Sequence, residues 1–361
     1  MMEVENNQHL TYIDGLKGIG AFIIAFIWHY QHFGLEYASP FNSLFKLSYI
    51  FGWGVVDLFF MLSGFCMMIG YADKIFNKEI SFGHYFLKRL KKLYPLFIFS
   101  TFLVFALELL FLHKTGETFI YSNFDIYHVI LNLFLLQDGF LGTEYSLNGP
   151  AWCIPIFFVC YCLLYFIIYR AKDLSNVFYA FFTAAIIACV LIATGLEYPL
   201  LNSQMGRGIA NFSIGILLFF VYKNRTKFKT KKLGYCCLLF LIGAYLLLRF
   251  KSVDLSGHYT LSMILGFAPM IILSTMFVPF QNAIIRNPAF KYLGIISCEI
   301  YLFHFPIQCC IKLTEIYLNL QINYSSKFAW LLYVLITVCF SSLYHFLLSK
   351  KIENIVLGFF K

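Results

Sequence analysis

The feature that most constrains this chain is a series of apolar runs, each close to the length of a bilayer crossing. A spanning helix needs about 20 predominantly apolar residues. Ten runs qualify, near 13–34, 48–70, 93–113, 150–169, 175–195, 207–222, 233–250, 259–280, 292–313 and 327–348. One further segment, 126–140, is apolar but short and ends at Gln137-Asp138-Gly139. Composition agrees: 60% of residues are hydrophobic and 12% charged, against about 25% charged in soluble domains. Backbone polar groups in lipid must be satisfied within the segment, so such runs fold as helices. The expected fold class is all-α, a polytopic membrane protein.

Charge sets the orientation. The net charge is +9, and the cations cluster at Lys74 to Lys92, Arg170 and Lys172, Lys223 to Lys232, Arg286 to Lys291, and Lys350-Lys351. If segment 126–140 crossed the membrane, the loop 223–232, with six Lys or Arg, would face outward. If it does not cross, all five clusters are cytoplasmic, as the positive-inside rule requires. The sequence therefore predicts about ten transmembrane helices with both termini cytoplasmic. Segment 114–149, between the third and fourth helices, is then external or re-entrant. We expect a single membrane domain over 1–361, with a short cytoplasmic N-terminus (1–12) and no appended soluble domain. The first run lacks the flanks of a signal peptide and reads as a retained helix. Membrane lipids are the natural partners of the basic clusters. With no soluble basic domain, nucleic acid is not an expected partner. The eleven Cys lack metal-ligand spacing and read as small reduced apolar side chains, with no metal site expected.

Ionisable groups inside spans are costly and mark functional candidates. Lys17 begins the first helix and His29 follows twelve residues on, about 18 Å along the axis. Lys17 snorkelling to the interface and His29 as a satisfied interfacial residue is the plainer alternative. Asp57 falls mid-span and needs a cation or a His; a structural ion pair serves equally. Arg89 and Lys92 share a helical face before Tyr94-Pro95, suited either to phosphate or to fixing topology. Pro95 suits a first helical turn. Trp152 follows the turn signal Asn148-Gly149-Pro150. Arg207 opens the sixth run, where simple snorkelling explains it. In the ninth, Glu299, Tyr301 and His304 precede Pro306, which removes the backbone bond to Leu302 and can kink the helix there.

Four of these stretches together resemble the acyltransferase-3 family, multi-span membrane enzymes that acylate sugars of surface polysaccharides. They are Ile13-Asp14-Gly15-Leu16-Lys17-Gly18 with His29, Asp57 to Phe65 with Ser63-Gly64, Arg89 to Pro95, and Ser297 to Pro306. They cover most of the chain, and it is their order and spacing that are specific. The resemblance implies ten spanning helices with cytoplasmic ends. It also implies transfer of an acyl group, usually acetyl, from cytoplasmic acyl-CoA to a carbohydrate hydroxyl of a surface polysaccharide or its lipid-linked precursor. Acyl-CoA would be a donor substrate, with no tightly bound cofactor. The location would be the bacterial cytoplasmic membrane, and a homo-oligomer is compatible.

Two departures stand out. The family spaces the basic residue and His by ten residues; here eleven separate Lys17 from His29. The extra residue would turn His29 by about 100° unless a bulge near Gly18-Ile19-Gly20 absorbs it. After Trp152 the family's Ser-x-x-Glu run is replaced by Cys153-Ile-Pro-Ile-Phe-Phe-Val, so that helix lends no acid.

A His of near-neutral pKa is the natural general base for a sugar hydroxyl. We expect His29 in that role, Asp57 orienting or pairing a cation, and His304 and Tyr301 stabilising the oxyanion or the acceptor. Lys17, Arg89 and Lys92 would bind coenzyme phosphates. Glu299, Arg207 and Trp152 are assigned to substrate. A transporter or flippase for a polysaccharide precursor is the alternative, although paired halves and broken-helix symmetry are not evident in the sequence.

Overall fold

A computed structural model describes residues 11–34, 39–141, 144–226, 230–250 and 259–358. Residues 1–10 and the middle of the 223–232 loop, both assigned above to the cytoplasm, lie outside the described residues.

The chain opens with α1 (Thr11–Ile23), a π-helical turn (Ile24–Trp28) and a 3-10 turn (His29–Phe33). Then come α2 (Asn42–Phe51), α3 (Val55–Phe76), α4 (Phe82–Thr115) and the short α5 (Ile126–Leu133). After α6 (Cys153–Arg170) and α7 (Leu174–Thr194), a small hairpin pairs β1 (Glu197–Tyr198) with β2 (Leu201–Asn202). The rest is α8 (Ser203–Lys223), α9 (Thr230–Phe250), α10 (Tyr259–Ser262), α11 (Ala268–Phe277), α12 (Pro279–Ile285), α13 (Pro288–Ile295), α14 (Ser297–Tyr317), α15 (Lys327–Leu343) and α16 (Ser349–Gly358). Side-chain caps start several of them. Ser81 accepts from His84 N, Asp173 from Asn176 N, Asn202 from Met205 N and Ser326 from Ala329 N, each supplying one of the first-turn donors with an acceptor.

Among the described residues, seven helical stretches are long and apolar enough to cross a membrane, or eight if α13 and α14, bent by 71°, count as one. The protein is all-α and polytopic. The expected runs 13–34 and 259–280 are not in that count; they contain π-helical turns at Ile24–Trp28 and Met263–Phe267, and the apolar helix in the second covers Met263–Phe277.

The bundle has two distinguishable ends. At one, Tyr165 donates to the Ile80 carbonyl and Lys78 lies over the Tyr169 ring. This end gathers the loops after α3, α6 and α8, which carry the basic clusters. At the other, Leu200 N and Asn202 Nδ2 donate to Gly139 O, so segment 116–148 and the hairpin cap the bundle together.

Helices approach closely where glycine allows. A Cβ on Gly64 would collide with the Phe212 carbonyl, and one on Gly215 with the Met61 carbonyl, so α3 and α8 cross backbone to backbone. Gly18 meets Phe290 and Gly294 in the same way, and Gly294 meets Asp14. Overpacking ordinarily costs about 1–3 kcal/mol, and rigid backbone cannot yield as a side chain would. Gly215→Val is therefore expected to lower the melting temperature of the detergent-solubilised protein sharply or abolish its monodisperse peak. A wild-type melting curve would show that the α3–α8 crossing is not tight.

Two local expectations are corrected. The bulge that absorbs the extra first-helix residue is at Ile24–Trp28, not at Gly18-Ile19-Gly20, where Gly18 packs against α13 and Gly20 against Val55 and Phe59 of α3. Pro95 is interior to α4, which starts at Phe82. Arg89 and Lys92 are thus well inside the helix, and its N-terminal dipole gives them no help with phosphate.

Candidate functional site

Breaking the first helix frees backbone carbonyls, and α15 takes them up. Trp330 Nε1 donates to Phe26 O at 2.7 Å and Tyr333 OH to Ala25 O at 3.1 Å. Gln308 Nε2 donates to His29 O at 2.8 Å. Irregular backbone at membrane depth survives only when protein satisfies it in this way. The result is a rigid turn that aims His29 at α14.

His29 and His304 meet directly. His29 Nδ1 lies 2.7 Å from His304 Nε2, and His304 Nδ1 lies 2.6 Å from the Tyr301 carbonyl oxygen. A carbonyl can only accept, so in neutral His304 the proton is on Nδ1 and Nε2 carries the lone pair. His29 must then donate through Nδ1–H. Its own Nε2 is left as a base, on a ring that lines a cavity of about 350 Å³. The neighbouring histidine is fixed by the same logic. Gln308 spends its amide N–H on His29 O, so its Oε1 accepts from His32 Nδ1 at 3.0 Å. The His32 ring stacks on His29 with centroids 4.8 Å apart.

The cavity also holds a cation. Arg207 makes a two-point contact with Asp57, Nε to Oδ1 and Nη2 to Oδ2, both 3.2 Å. Asn211 Nδ2 donates to Asp57 Oδ1 at 2.9 Å. The guanidinium lies between the rings of Trp53 and Trp152, at 5.2 and 5.0 Å. Asp57 is wholly buried, in the first turn of α3 rather than mid-helix, and Arg207 is 14% exposed. Snorkelling does not describe an arginine so held.

Segment 147–152 closes the site against α14. Pro306 leaves Leu302 O without its helical donor, and Asn148 Nδ2 supplies one at 3.0 Å. α14 runs without a break through Pro306, and a 71° bend falls at its junction with α13. Tyr301 OH donates to Pro150 O, so its proton is spent on structure.

Of the residues singled out from sequence, His29, Arg207, Trp152 and Tyr301 line one cavity, with His304 and Asp57 directly behind. Lys17, Arg89 and Lys92 are elsewhere, toward the basic end. Arg89 donates to Tyr71 OH and lies over its ring at 4.7 Å, while its Nε is buried without a partner. Tyr71 is fourteen residues beyond Asp57 on α3, about 21 Å away along the axis. Lys17 and Lys92 both act electrostatically on Cys66 and Cys298, so they converge on one region. Glu299, next to Cys298, lies toward the same end as Lys17 and Lys92 and away from the cavity, and it accepts from His345 Nδ1 at 2.6 Å.

Sequence reading missed His32, Gln308, Trp53, Tyr121 and Tyr145. Gln308, one helical turn beyond His304, and His32, one 3-10 turn beyond His29, were detectable by spacing. The tyrosines sit in segment 116–148, which has no periodicity to read. A larger depression, about 720 Å³, is lined mainly by apolar side chains of α4, α6 and segment 134–140. It lacks convergent polar groups.

Gln137 and Asp138, in the same segment, are each 2% exposed. Both amide atoms of Gln137 and Oδ1 of Asp138 have no hydrogen-bond partner among the described residues. Burial pushes the Asp138 carboxyl up to about 8, so near pH 7 it is mostly a neutral acid. Leaving a buried polar group unsatisfied costs about 1–3 kcal/mol.

Residues 10–346 match the family model described as an acyltransferase domain, acyltransferase-3. The chain is 24% identical over 318 residues to a protein of Acidianus two-tailed virus named "Putative acetyltransferase ORF330", covering 87% of this chain and 88% of that protein. It is 34% identical over 99 residues to "Protein 2 in picA locus" of Rhizobium radiobacter, 27% of this chain and 46% of that protein. No solved structure matches significantly. The match spans nearly the whole helical bundle, including both histidines and the Asp57–Arg207 pair, and the chain belongs to the acyltransferase-3 family of membrane acyltransferases.

Proposed function

We propose that this protein is an O-acyltransferase that moves an acyl group, most simply acetyl, from cytoplasmic acyl-CoA to a hydroxyl of a surface polysaccharide or its lipid-linked precursor. The observation that carries this reading is the proton order of the histidine pair, which leaves His29 Nε2 basic on the wall of a cavity. In the proposed topology the chain crosses ten times with both termini cytoplasmic, in a bacterial cell membrane. The basic end then faces the cytoplasm, and the cavity lies toward the opposite face, under segment 116–148.

The reaction runs as follows. The acceptor hydroxyl gives its proton to His29 Nε2 as its oxygen attacks the thioester carbonyl. His304 Nε2 accepts from His29 Nδ1–H and steadies the imidazolium. With the Tyr301 proton committed to Pro150, Arg207 is the cation left to face the developing oxyanion. Asp57 and Asn211 hold that arginine in place. The tetrahedral intermediate expels the coenzyme as thiolate, which recovers the proton from His29. Lys17, Arg89 and Lys92 hold the anionic part of the coenzyme at the other end, and its long arm reaches between the two sites. The unpartnered Arg89 Nε is a donor suited to a phosphate oxygen.

The test is transfer of label from radioactive acetyl-CoA by purified protein in vesicles. Arg89→Ala should raise the KM for acetyl-CoA about tenfold, with kcat within about twofold, since one charge-assisted bond contributes about 1.5–3 kcal/mol. Unchanged KM would remove Arg89 from the donor site. Wild-type protein that moves no label to any acceptor would overturn the enzyme reading and favour transport.

A further inference from the structure

His32 lines the cavity beside His29, partly exposed, and the reaction proposed above does not use it. It follows His29 by three residues in the 3-10 turn His29–Phe33, where side chains at that spacing eclipse. The two rings lie within 23° of parallel, with centroids 4.8 Å apart. Their α14 partners are in step, since His304 and Gln308 are about one helical turn apart. Each ring turns Nδ1 to its partner, at 2.7 Å for His29 and 3.0 Å for His32. Eclipsed rings that share a stem direction and an Nδ1 direction share their Nε2 direction too. The cavity wall therefore carries two Nε2 atoms side by side.

Their proton states match. Gln308 Nε2 donates to His29 O, which leaves Oε1 to take the His32 Nδ1 proton. Neutral His32 then has its lone pair on Nε2, and its ring makes no other hydrogen bond among the described residues. The ring is held in place by Tyr121 and Phe305, edge-on at 6.1 and 5.7 Å. A second imidazolium stacked on His29 would oppose the charge that His29 must take up, so the neutral form is the working one. A neutral Nε2 of this kind accepts and cannot donate. The thioester carbonyl and the coenzyme phosphates bring it no proton, whereas a hydroxyl does.

We infer that His32 binds the acceptor: its Nε2 takes a hydrogen bond from a second hydroxyl, on a carbon neighbouring the one that is acylated, while His29 Nε2 takes the proton of the first. The inference rests on the acceptor class proposed above and narrows it to carbohydrates with a free hydroxyl beside the acylated position.

The two nitrogens of His32 can be separated by substitution. An asparagine amide reaches where Nδ1 was and keeps a donor for Gln308. A glutamine amide reaches where Nε2 was and offers its oxygen to the hydroxyl. The probe is de-esterified surface glycan extracted from cells lacking the gene, with radioactive acetyl-CoA as donor. His32→Asn should raise the KM for this glycan about tenfold, which corresponds to about 1.4 kcal/mol. Its KM for acetyl-CoA and its melting temperature should match the wild type. His32→Gln should bring the glycan KM back to within about threefold of wild type, although it melts lower because Gln308 Oε1 loses its donor. A ring that only braces the turn predicts the reverse order, with wild-type glycan KM in His32→Asn and the larger loss in His32→Gln, and that order would overturn the inference. NMR of the wild-type product gives a second check. The ester should sit beside a carbon bearing a free hydroxyl, and an ester flanked only by substituted or deoxy carbons would overturn the inference as well. Wild-type protein that acylates no glycan would instead remove the acceptor class itself, a failure distinct from these two.

Discussion

Replacing His29 with alanine is expected to lower kcat for acyl transfer by about three orders of magnitude, with the KM for acetyl-CoA little changed. A positioned general base contributes about 10²–10⁴ in rate. The cations proposed to hold the donor are on the far side of the bundle and should not sense the substitution. His304→Ala should fall nearly as far, although His304 need never touch substrate. Its Nε2 is what forces the proton of His29 onto Nδ1, and without it the two tautomers of His29 compete. The double variant should be little worse than either single one, because residues that act as a unit are not additive. Stopped-flow or discontinuous assay of thiol release gives all three numbers. A His304→Ala enzyme at wild-type rate, beside a dead His29→Ala, would mean that His29 needs no partner to set its tautomer.

The second large effect is on stability. Asp57→Ala should destabilise the protein by about 3–5 kcal/mol, the usual consequence of leaving one member of a buried ion pair uncompensated. Asp57 is fully buried and anchors Arg207 and Asn211 of α8 to α3. Those helices cross on Gly64 and Gly215 with no side chain between them, so they cannot close around a lost partner. Asp57→Leu combined with Arg207→Met should recover much of the loss, since well-packed apolar pairs often replace buried ion pairs at little cost. Transfer activity should not recover, because the cation at the cavity wall is gone. Denaturant unfolding in detergent reads the first part and label transfer the second. A double variant as unstable as Asp57→Ala would show that the pair is not the coupling between the helices.

What could be read in advance follows physical lines. The all-α membrane class was legible because lipid imposes helices and helices impose run length. His29 and His304 could be singled out because each is an ionisable group in an apolar run, although an interfacial histidine explained His29 more plainly and the family resemblance was needed to favour a site. Their contact was not legible, since 275 residues separate them in sequence and nothing local encodes the pairing. Asp57 was expected to need a cation, and that held as chemistry; which cation it would be depended on the α3–α8 crossing. Arg207 therefore looked like an interfacial residue at a helix end. Glu299 shares α14 with His304, but helical geometry turns it to His345, in the π-helical turn Tyr344–Leu348 that follows α15. The extra residue between Lys17 and His29 was visible as a misfit. Its remedy at Ile24–Trp28 was not, because it depends on Trp330 and Tyr333 accepting the freed carbonyls as partners. Segment 116–148 was the least legible part, and it supplies Tyr121 and Tyr145 to the cavity wall.

The most direct measurement is the ester content of surface polysaccharide, read by proton NMR in strains that lack the gene, carry it intact, or carry His29→Ala at equal membrane abundance. Acyl signals confined to the strain with the intact gene are the predicted result. Equal signals in all three would contradict the account, because neither this protein nor its histidine pair would then be making the ester.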